Sequence, residues 1–208
     1  YASLSIFQNH HTFCLTTKNR RDMTITTQKV TYRAFREMDF SDTDTFLYEL
    51  LNGVIVRRAS PKVIHQRISK KLFRQLEDFI LAKALGEIFY APIDVVLDDH
   101  NASQSDLVYI ANTNDGVVVD DEDVIVGVPD LVVEIISPGS VKRDRIEKMA
   151  IYEQFKIKEY WLVDPNNQSI EIYTLKDDKY ALHAFADATE KVQSVVLAGL
   201  EVDAAVVF

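Results

Sequence analysis

An α/β fold in a single domain is what this sequence predicts, and three observations predict it. Two stretches carry apolar residues at helical spacing, and several short apolar runs bounded by turn residues read as strands. No linker, internal repeat or second composition regime divides the chain. Its 208 residues are enough to bury one substantial core.

Residues 1–22 lack a clear period, whereas Met23-Thr24-Ile25-Thr26 behaves like an ordinary beginning. The expectation is an irregular, non-native extension over 1–22 and one domain over 23–208. A short helix is predicted around Thr31–Met38, followed by a turn rich in Asp, Ser and Thr. Asn52-Gly53 between Phe46–Leu51 and Val54–Val56 is a strong hairpin signal, because both turn positions must accept positive φ. Ser60-Pro61 is expected to open a long helix to about Leu85, with serine as the cap and proline in the first turn. Ile64, Ile68, Leu72, Leu76, Phe79 and Ile80 form its apolar stripe, and Gly86 is expected to end it.

Three strands follow over Ile88–Leu97, Asp106–Ile110 and Leu131–Ile136, with a polar, acidic loop over Asn112–Asp123. A second helix is predicted over Val141–Phe155. Tyr160–Val163 and Ile170–Tyr173 flank the turn-forming Asp164-Pro165-Asn166-Asn167 and read as a hairpin. The remainder to Phe208 alternates like further strands.

Composition narrows the function. No apolar run approaches the ~18–20 residues that cross a bilayer, and the start lacks the pattern of a secretory signal. The single cysteine, Cys14, cannot form an internal disulfide, which points to a reducing compartment, the cytoplasm. The formal net charge of −9 demands that a nucleic-acid hypothesis name its positive face.

The strand Asp130-Leu131-Val132-Val133-Glu134-Ile135-Ile136 carries a carboxylate in apolar company. Alternation sets Glu134 on the face of Asp130, Val132 and Ile136, where it needs a metal, an amine or hydrogen bonds to compensate burial. Asp106 opens another strand, and two carboxylates on neighbouring strands suit a hard cation such as Mg²⁺. Asp144, Lys148, Tyr152 and Phe155 fall on one helical stripe, so Lys148 lies in a partly apolar sector. An ammonium there could stabilise charge on a phosphate.

The ordered set Tyr48–Gly53, Ser60-Pro61 with His65, Asp106, Pro129–Pro138, Asp144 with Lys148 and Tyr152, and Glu159–Pro165 resembles the Uma-type restriction endonuclease family within the PD-(D/E)XK nuclease superfamily. The resemblance spans about Thr31 to Tyr173. It implies a restriction-endonuclease-like fold: a mixed β-sheet flanked by helices, with an N-terminal hairpin and C-terminal β-hairpins. It also implies that Asp106 and Glu134 hold Mg²⁺ or Mn²⁺, and that Lys148 is the helical lysine of the family. Glu49 and His65 match further positions near the site. DNA, rather than RNA, is the implied partner, cleaved by metal-activated water, and a homodimer would suit a duplex substrate. Two departures stand out: Ser105 replaces the proline before the first acid, and Ile136 stands where the superfamily usually has its lysine.

Simpler roles compete at each position. Asp106 could cap a turn, and Glu134 could form a plain salt bridge with Lys148. Lys148 could instead pair with Asp144 on the surface. His65 faces inward and suits a structural histidine; Glu49 could belong to a sheet edge, and Asp130 to a strand-start hydrogen bond. Asp98-Asp99-His100 reads as a solvated turn. Arg57, Arg58, Lys62, Arg67, Lys70, Lys71 and Arg74, with Lys142, Arg143 and Arg145, could form a phosphate rim, although Asp120–Asp123 opposes an extended track. The function expected is therefore a metal-dependent endonuclease, against a non-catalytic module on the same fold and a hydrolase of smaller phosphate esters.

Overall fold

The computed structural model describes residues 29–40, 46–120 and 124–208. The expected extension over 1–22, Met23 and Cys14, the polar turn over 41–45, and most of the acidic run at 120–123 lie outside the described residues. In chain order the elements begin with α1 (Tyr32–Arg36), β1 (Phe46–Leu51), β2 (Val54–Ala59) and α2 (Val63–Lys83). Next come β3 (Gly86–Tyr90), β4 (Asp94–Asp98), β5 (Asn101–Ser103), β6 (Leu107–Ala111), β7 (Val118–Val119), β8 (Val124–Val126) and β9 (Leu131–Ile135). A π-helix (Arg143–Lys148) runs into α3 (Met149–Gln154). The chain closes with β10 (Glu159–Asp164), β11 (Ser169–Lys176), β12 (Lys179–Asp187), β13 (Lys191–Gln193), β14 (Glu201–Asp203) and α4 (Ala204–Val207).

Two compact units are present. One holds the described residues through Ser60 together with Asp98–Ser103; the other holds Pro61–Leu97 and Gln104–Phe208. In the first, Thr31 caps α1 by accepting the Ala34 N–H. The β1–β2 hairpin turns at Asn52 (φ 53°) and Gly53 (φ 77°), as the dipeptide predicts. β5 pairs antiparallel with β1 through Leu50 and Ala102.

The second unit is built on a sheet ordered β12-β11-β10-β9-β6-β3. The β9–β10 pair is parallel, while β9–β6, β6–β3, β10–β11 and β11–β12 are antiparallel, so the sheet is mixed. Strand alternation sends Leu107, Tyr109, Leu131, Val133, Ile135, Trp161 and Val163 to one core, against Ile68, Leu72, Leu76 and Ile80 of α2. Each such side chain contributes about 1.5–3 kcal/mol on burial. Val108 and Ile110 instead pack with Val95 and Ile125. Among the described residues, no helix is long and apolar enough to cross a membrane.

Several boundaries differ from the sequence expectation, each for a local reason. β2 continues to Ala59, so Ser60 and Pro61 remain in the connection and α2 starts at Val63, with Lys62 at its cap position. Ile64 is 48% exposed, and His65 occupies the inward position instead. Ala84, in the left-handed region, ends α2, leaving Gly86 as the first residue of β3. A Cβ at Gly86 would collide with the Ile110 carbonyl, so glycine is needed there for close strand approach. Pro92 breaks the strand expected over Ile88–Leu97, since it has no N–H to give a ladder. The loop over 112–123 carries the short β7, and the last residues form α4 rather than another strand.

Buried carboxylates pin this unit together. Glu159 accepts from Trp161 Nε1 at 2.6 Å, Ser194 Oγ at 2.7 Å, and the N–H groups of Val195 and Val196 at 2.7 and 2.9 Å. The C-terminal segment is thereby tied to the start of β10. Asp130 accepts from Lys158 Nζ at 2.6 Å, Asn114 Nδ2 at 2.8 Å and Ala111 N–H at 2.9 Å. Burial pushes its carboxyl upward, but the Ala111, Lys158 and Asn114 bonds outweigh that and hold it below the ordinary 3.8.

A carboxyl depressed on folding adds stability above its unfolded pKa, and that stability is lost as pH falls through the folded value. Lys158 is largely exposed and screened, so most of the effect belongs to the backbone and amide donors. Asp130→Asn is therefore expected to destabilise the protein by about 1–2 kcal/mol at pH 7, and by less at pH 3. Urea midpoints at the two pH values test this; an equal gap at both would discount the charge.

Candidate functional site

β6 and β9 pair with Leu107 opposite Val133 and Val108 opposite Val132. Asp106 immediately precedes β6 and Glu134 follows Val133 in β9, so the two acids lie at the same end of this strand pair. Alternation sets Glu134 on the face of Val132, opposite to that of Leu131, Val133 and Ile135.

Asp106 is fixed from two directions. Its Oδ2 accepts the Ile135 N–H at 2.7 Å and lies 3.1 Å from Nε2 of His65, in the first turn of α2. The backbone bond belongs to β9 itself, so the Asp106 carboxylate is coupled to the strand that carries Glu134. On Glu134, Oε1 accepts from Lys148 Nζ at 2.8 Å and from the Tyr152 hydroxyl at 2.9 Å. The Tyr152 hydroxyl also meets Ser105 Oγ at 2.8 Å. Lys148 ends the π-helix and Tyr152 lies in α3, so one continuous helical segment supplies both donors.

The cluster is closed to solvent. Exposure is 3% at Asp106, 2% at Glu134, 1% at Lys148 and 9% at His65. Asp144, also buried, lies in the same electrostatic environment. Burial raises its carboxyl above the usual range and Asp106 adds to the rise, against the lowering influence of Lys148, Ser140 and Arg143. The Tyr160 hydroxyl donates to the Asp144 carbonyl at 2.9 Å. Burial pushes that phenol well above its normal value, which leaves it a donor at any physiological pH.

Four of the five expected site residues, His65, Asp106, Glu134 and Lys148, thus meet in the second unit through direct bonds, His65 with Asp106 and Lys148 with Glu134. Glu49 belongs to the first unit. It is fully buried in β1 opposite Val56, and its Oε1 accepts from Arg58 Nη1 at 3.1 Å. Lys148 and Asp144 are both buried, and Lys148 donates to Glu134 at 2.8 Å. Asp98 Oδ1 accepts the His100 N–H at 2.8 Å and Asn101 Nδ2 at 2.9 Å, which makes a turn of that acidic run.

The expected rim of positive charge is largely committed within the protein. Arg145 grips Glu171 through two bonds of 2.7 and 3.0 Å, and Lys142 pairs with Glu147 at 2.8 Å. Arg67, Lys70 and Arg74 are exposed along α2 and have no ion partner among the described residues.

Tyr152 and Ser105 are the participants that residue-by-residue reading left without a role. Tyr152 follows Lys148 by four positions, and that spacing is the available signal. Ser105 stands where the superfamily pattern has proline, and its hydroxyl supplies what proline could not.

Asp106 and Glu134 suit a hard, oxygen-preferring divalent ion, which commonly takes one or two carboxylates and fills its shell with water and phosphate. Among the described residues, no group of three or more His, Cys, Asp or Glu side chains is arranged to hold a metal ion. Asp106 and Glu134 alone would be a two-carboxylate donor set and not a closed protein cage.

Comparison with known proteins bears on the family and the fold. A family model described as Uma2, "Putative restriction endonuclease", matches residues 32–205. Among solved structures, one described as "a putative nuclease belonging to DUF820", from Anabaena variabilis ATCC 29413, aligns with a TM-score of 0.68 at 16% identity. The alignment covers 86% of this chain and 97% of that one, a likeness of fold. No curated protein matches the chain.

Proposed function

The chain belongs to the Uma2 family, and on that premise we propose that it is a metal-dependent nuclease hydrolysing phosphodiester bonds of DNA. One observation carries the proposal: two buried carboxylates, Asp106 just before β6 and Glu134 in the neighbouring β9, with a buried lysine donating to Glu134 at 2.8 Å. In this reading Asp106 and Glu134 hold Mg²⁺ or Mn²⁺. When bound, the ion supplies Lewis acidity for a phosphoryl oxygen and lowers the pKa of a water.

The protein's own groups do the remaining work. His65 and the Ile135 N–H fix the direction of the Asp106 carboxylate. Lys148 gives one of its N–H donors to Glu134 at 2.8 Å and is 1% exposed, so its side chain must turn outward to meet a non-bridging phosphate oxygen. There its charge stabilises the crowded, more negative phosphorus centre.

Duplex DNA incubated with the protein is expected to be cut in Mg²⁺ or Mn²⁺ and spared when EDTA is added. Cleavage that survives chelation would remove the metal from the mechanism. No cleavage of DNA or RNA with either metal would sink the nuclease reading.

One observation favours a second reading, a non-catalytic binding module. The Lys148–Glu134 pair is already satisfied and almost fully buried, so an entering cation must compete with an ammonium for the same carboxylate. Titration calorimetry with Mn²⁺ separates the two, since the module should give no binding heat.

A further inference from the structure

Two donors converge on one oxygen of Glu134. Lys148 Nζ and the Tyr152 hydroxyl both bond Oε1, at 2.8 and 2.9 Å. A phenol has one proton. Since Tyr152 gives its proton to Glu134, its bond to Ser105 Oγ at 2.8 Å must be accepted from the serine hydroxyl. A directed chain results: Ser105 donates to Tyr152, and Tyr152 donates to Glu134. All three are buried, with exposures of 1%, 0% and 2%. Hydrogen bonds shielded from water in this way hold geometry more firmly than exposed ones.

The chain joins the two segments that carry the carboxylates. Ser105 is covalently next to Asp106, and Glu134 lies across the strand pair. The geometry points to Tyr152, backed by Ser105, as the positioning residue that keeps Glu134 aimed when Lys148 turns to the substrate phosphate. This rests on the nuclease reading and deepens it. Lys148 cannot serve as both the sole anchor of Glu134 and a mobile phosphate ligand without loosening one of them. A second donor on the same oxygen removes that conflict. Tyr152 is suited to the task because it has no charge to lend to phosphate, and its ring is fixed edge-on to Tyr160 at 5.2 Å and 73°.

The test compares the parent with Tyr152→Phe and Ser105→Ala, using Mn²⁺ alone in titration calorimetry. Urea unfolding and steady-state cleavage at saturating Mn²⁺ accompany it. Groups that orient a metal ligand typically change affinity by about 10–100-fold when lost. Tyr152→Phe is expected to weaken Mn²⁺ binding by that factor and to lower kcat, with KM for DNA changed by less than about threefold. Ser105→Ala should weaken Mn²⁺ binding by a smaller factor, and the double variant should be no worse than Tyr152→Phe, since both act through one chain.

Unchanged Mn²⁺ affinity in either folded single variant, from a parent that binds Mn²⁺, overturns the positioning role and leaves the nuclease reading standing. A parent that binds no Mn²⁺ overturns both. Should Tyr152→Phe fail to fold, Ser105→Ala decides alone, because it removes only the distal donor.

Discussion

Asp106→Ala is expected to lower the rate of DNA cleavage by about 10³-fold or more while the protein remains folded. A metal ion contributes several kcal/mol to the transition state of phosphoryl transfer, and each 1.36 kcal/mol is about tenfold in rate. The substitution takes away one of two carboxylates, which leaves little to hold the ion. It also strips an acceptor from the buried Ile135 N–H and a partner from His65, at a cost of about 1–3 kcal/mol. The stability loss must therefore be measured beside activity, by urea unfolding of the same sample. Lys148→Ala should fall by a smaller factor, about 10²–10³, as expected for one electrostatic stabiliser. Equal cleavage by parent and Asp106→Ala would end the hydrolytic assignment of this cluster.

Breaking the Lys148–Glu134 pair from one side is expected to destabilise the protein by about 3–5 kcal/mol, because the partner stays behind as a buried charge that has lost its ion-pair bond. The pair is 2.8 Å long, with side-chain exposures of 1% and 2%, so solvent cannot rescue the survivor. Replacing both groups together, as Glu134→Gln with Lys148→Met, should return stability to within about 1 kcal/mol of the parent or above it. Urea midpoints of the two single variants and the double complete a cycle whose coupling term reports the pair directly. A double variant no more stable than the weaker single would deny that the two groups are coupled. The double also has a use: folded yet stripped of amine and carboxylate, it is the control that separates lost chemistry from lost structure.

Much of this architecture was legible in local chemistry. Asn52-Gly53 could hardly be anything but a hairpin turn, and the Ile68–Leu72–Leu76–Ile80 stripe set the inner face of α2. The apolar run around Glu134 announced a buried strand with a carboxylate needing a partner, and Lys148 proved to be that partner. The boundaries failed where tertiary packing overrode local preference. Ser60 is a good cap by itself, but β2 runs up to Ala59 and α2 begins only at Val63, which leaves Ser60 in the connection. Ile64 has the stronger apolar claim, yet His65 turns inward because Asp106 supplies its bond. Tyr152 and Ser105 were visible as residues but not in their roles, because these depend on a contact across 47 positions, which no local pattern encodes. The resemblance to a nuclease family supplied identity, while spacing alone left metal ligand, salt bridge and turn cap open.

The helix expected over Val141–Phe155 is not wound uniformly. It starts as α at Val141 and Lys142, is a π-helix from Arg143 to Lys148, and returns to α from Met149. A π turn accommodates one residue more than the following α winding. This stretch is thus a spacer whose length sets an angle. Losing a single residue between Lys142 and Lys148 would be taken up by tightening to α, which keeps the two ends close to their present phase. An insertion has no such slack and would rotate the ends against each other by about 100°. Asp144, whose carbonyl is held by Tyr160, could not then keep that bond while Lys148 and Tyr152 kept theirs. Redesign in this region can exchange side chains on the outer surface or remove one residue, but each added residue changes the phase of the amine.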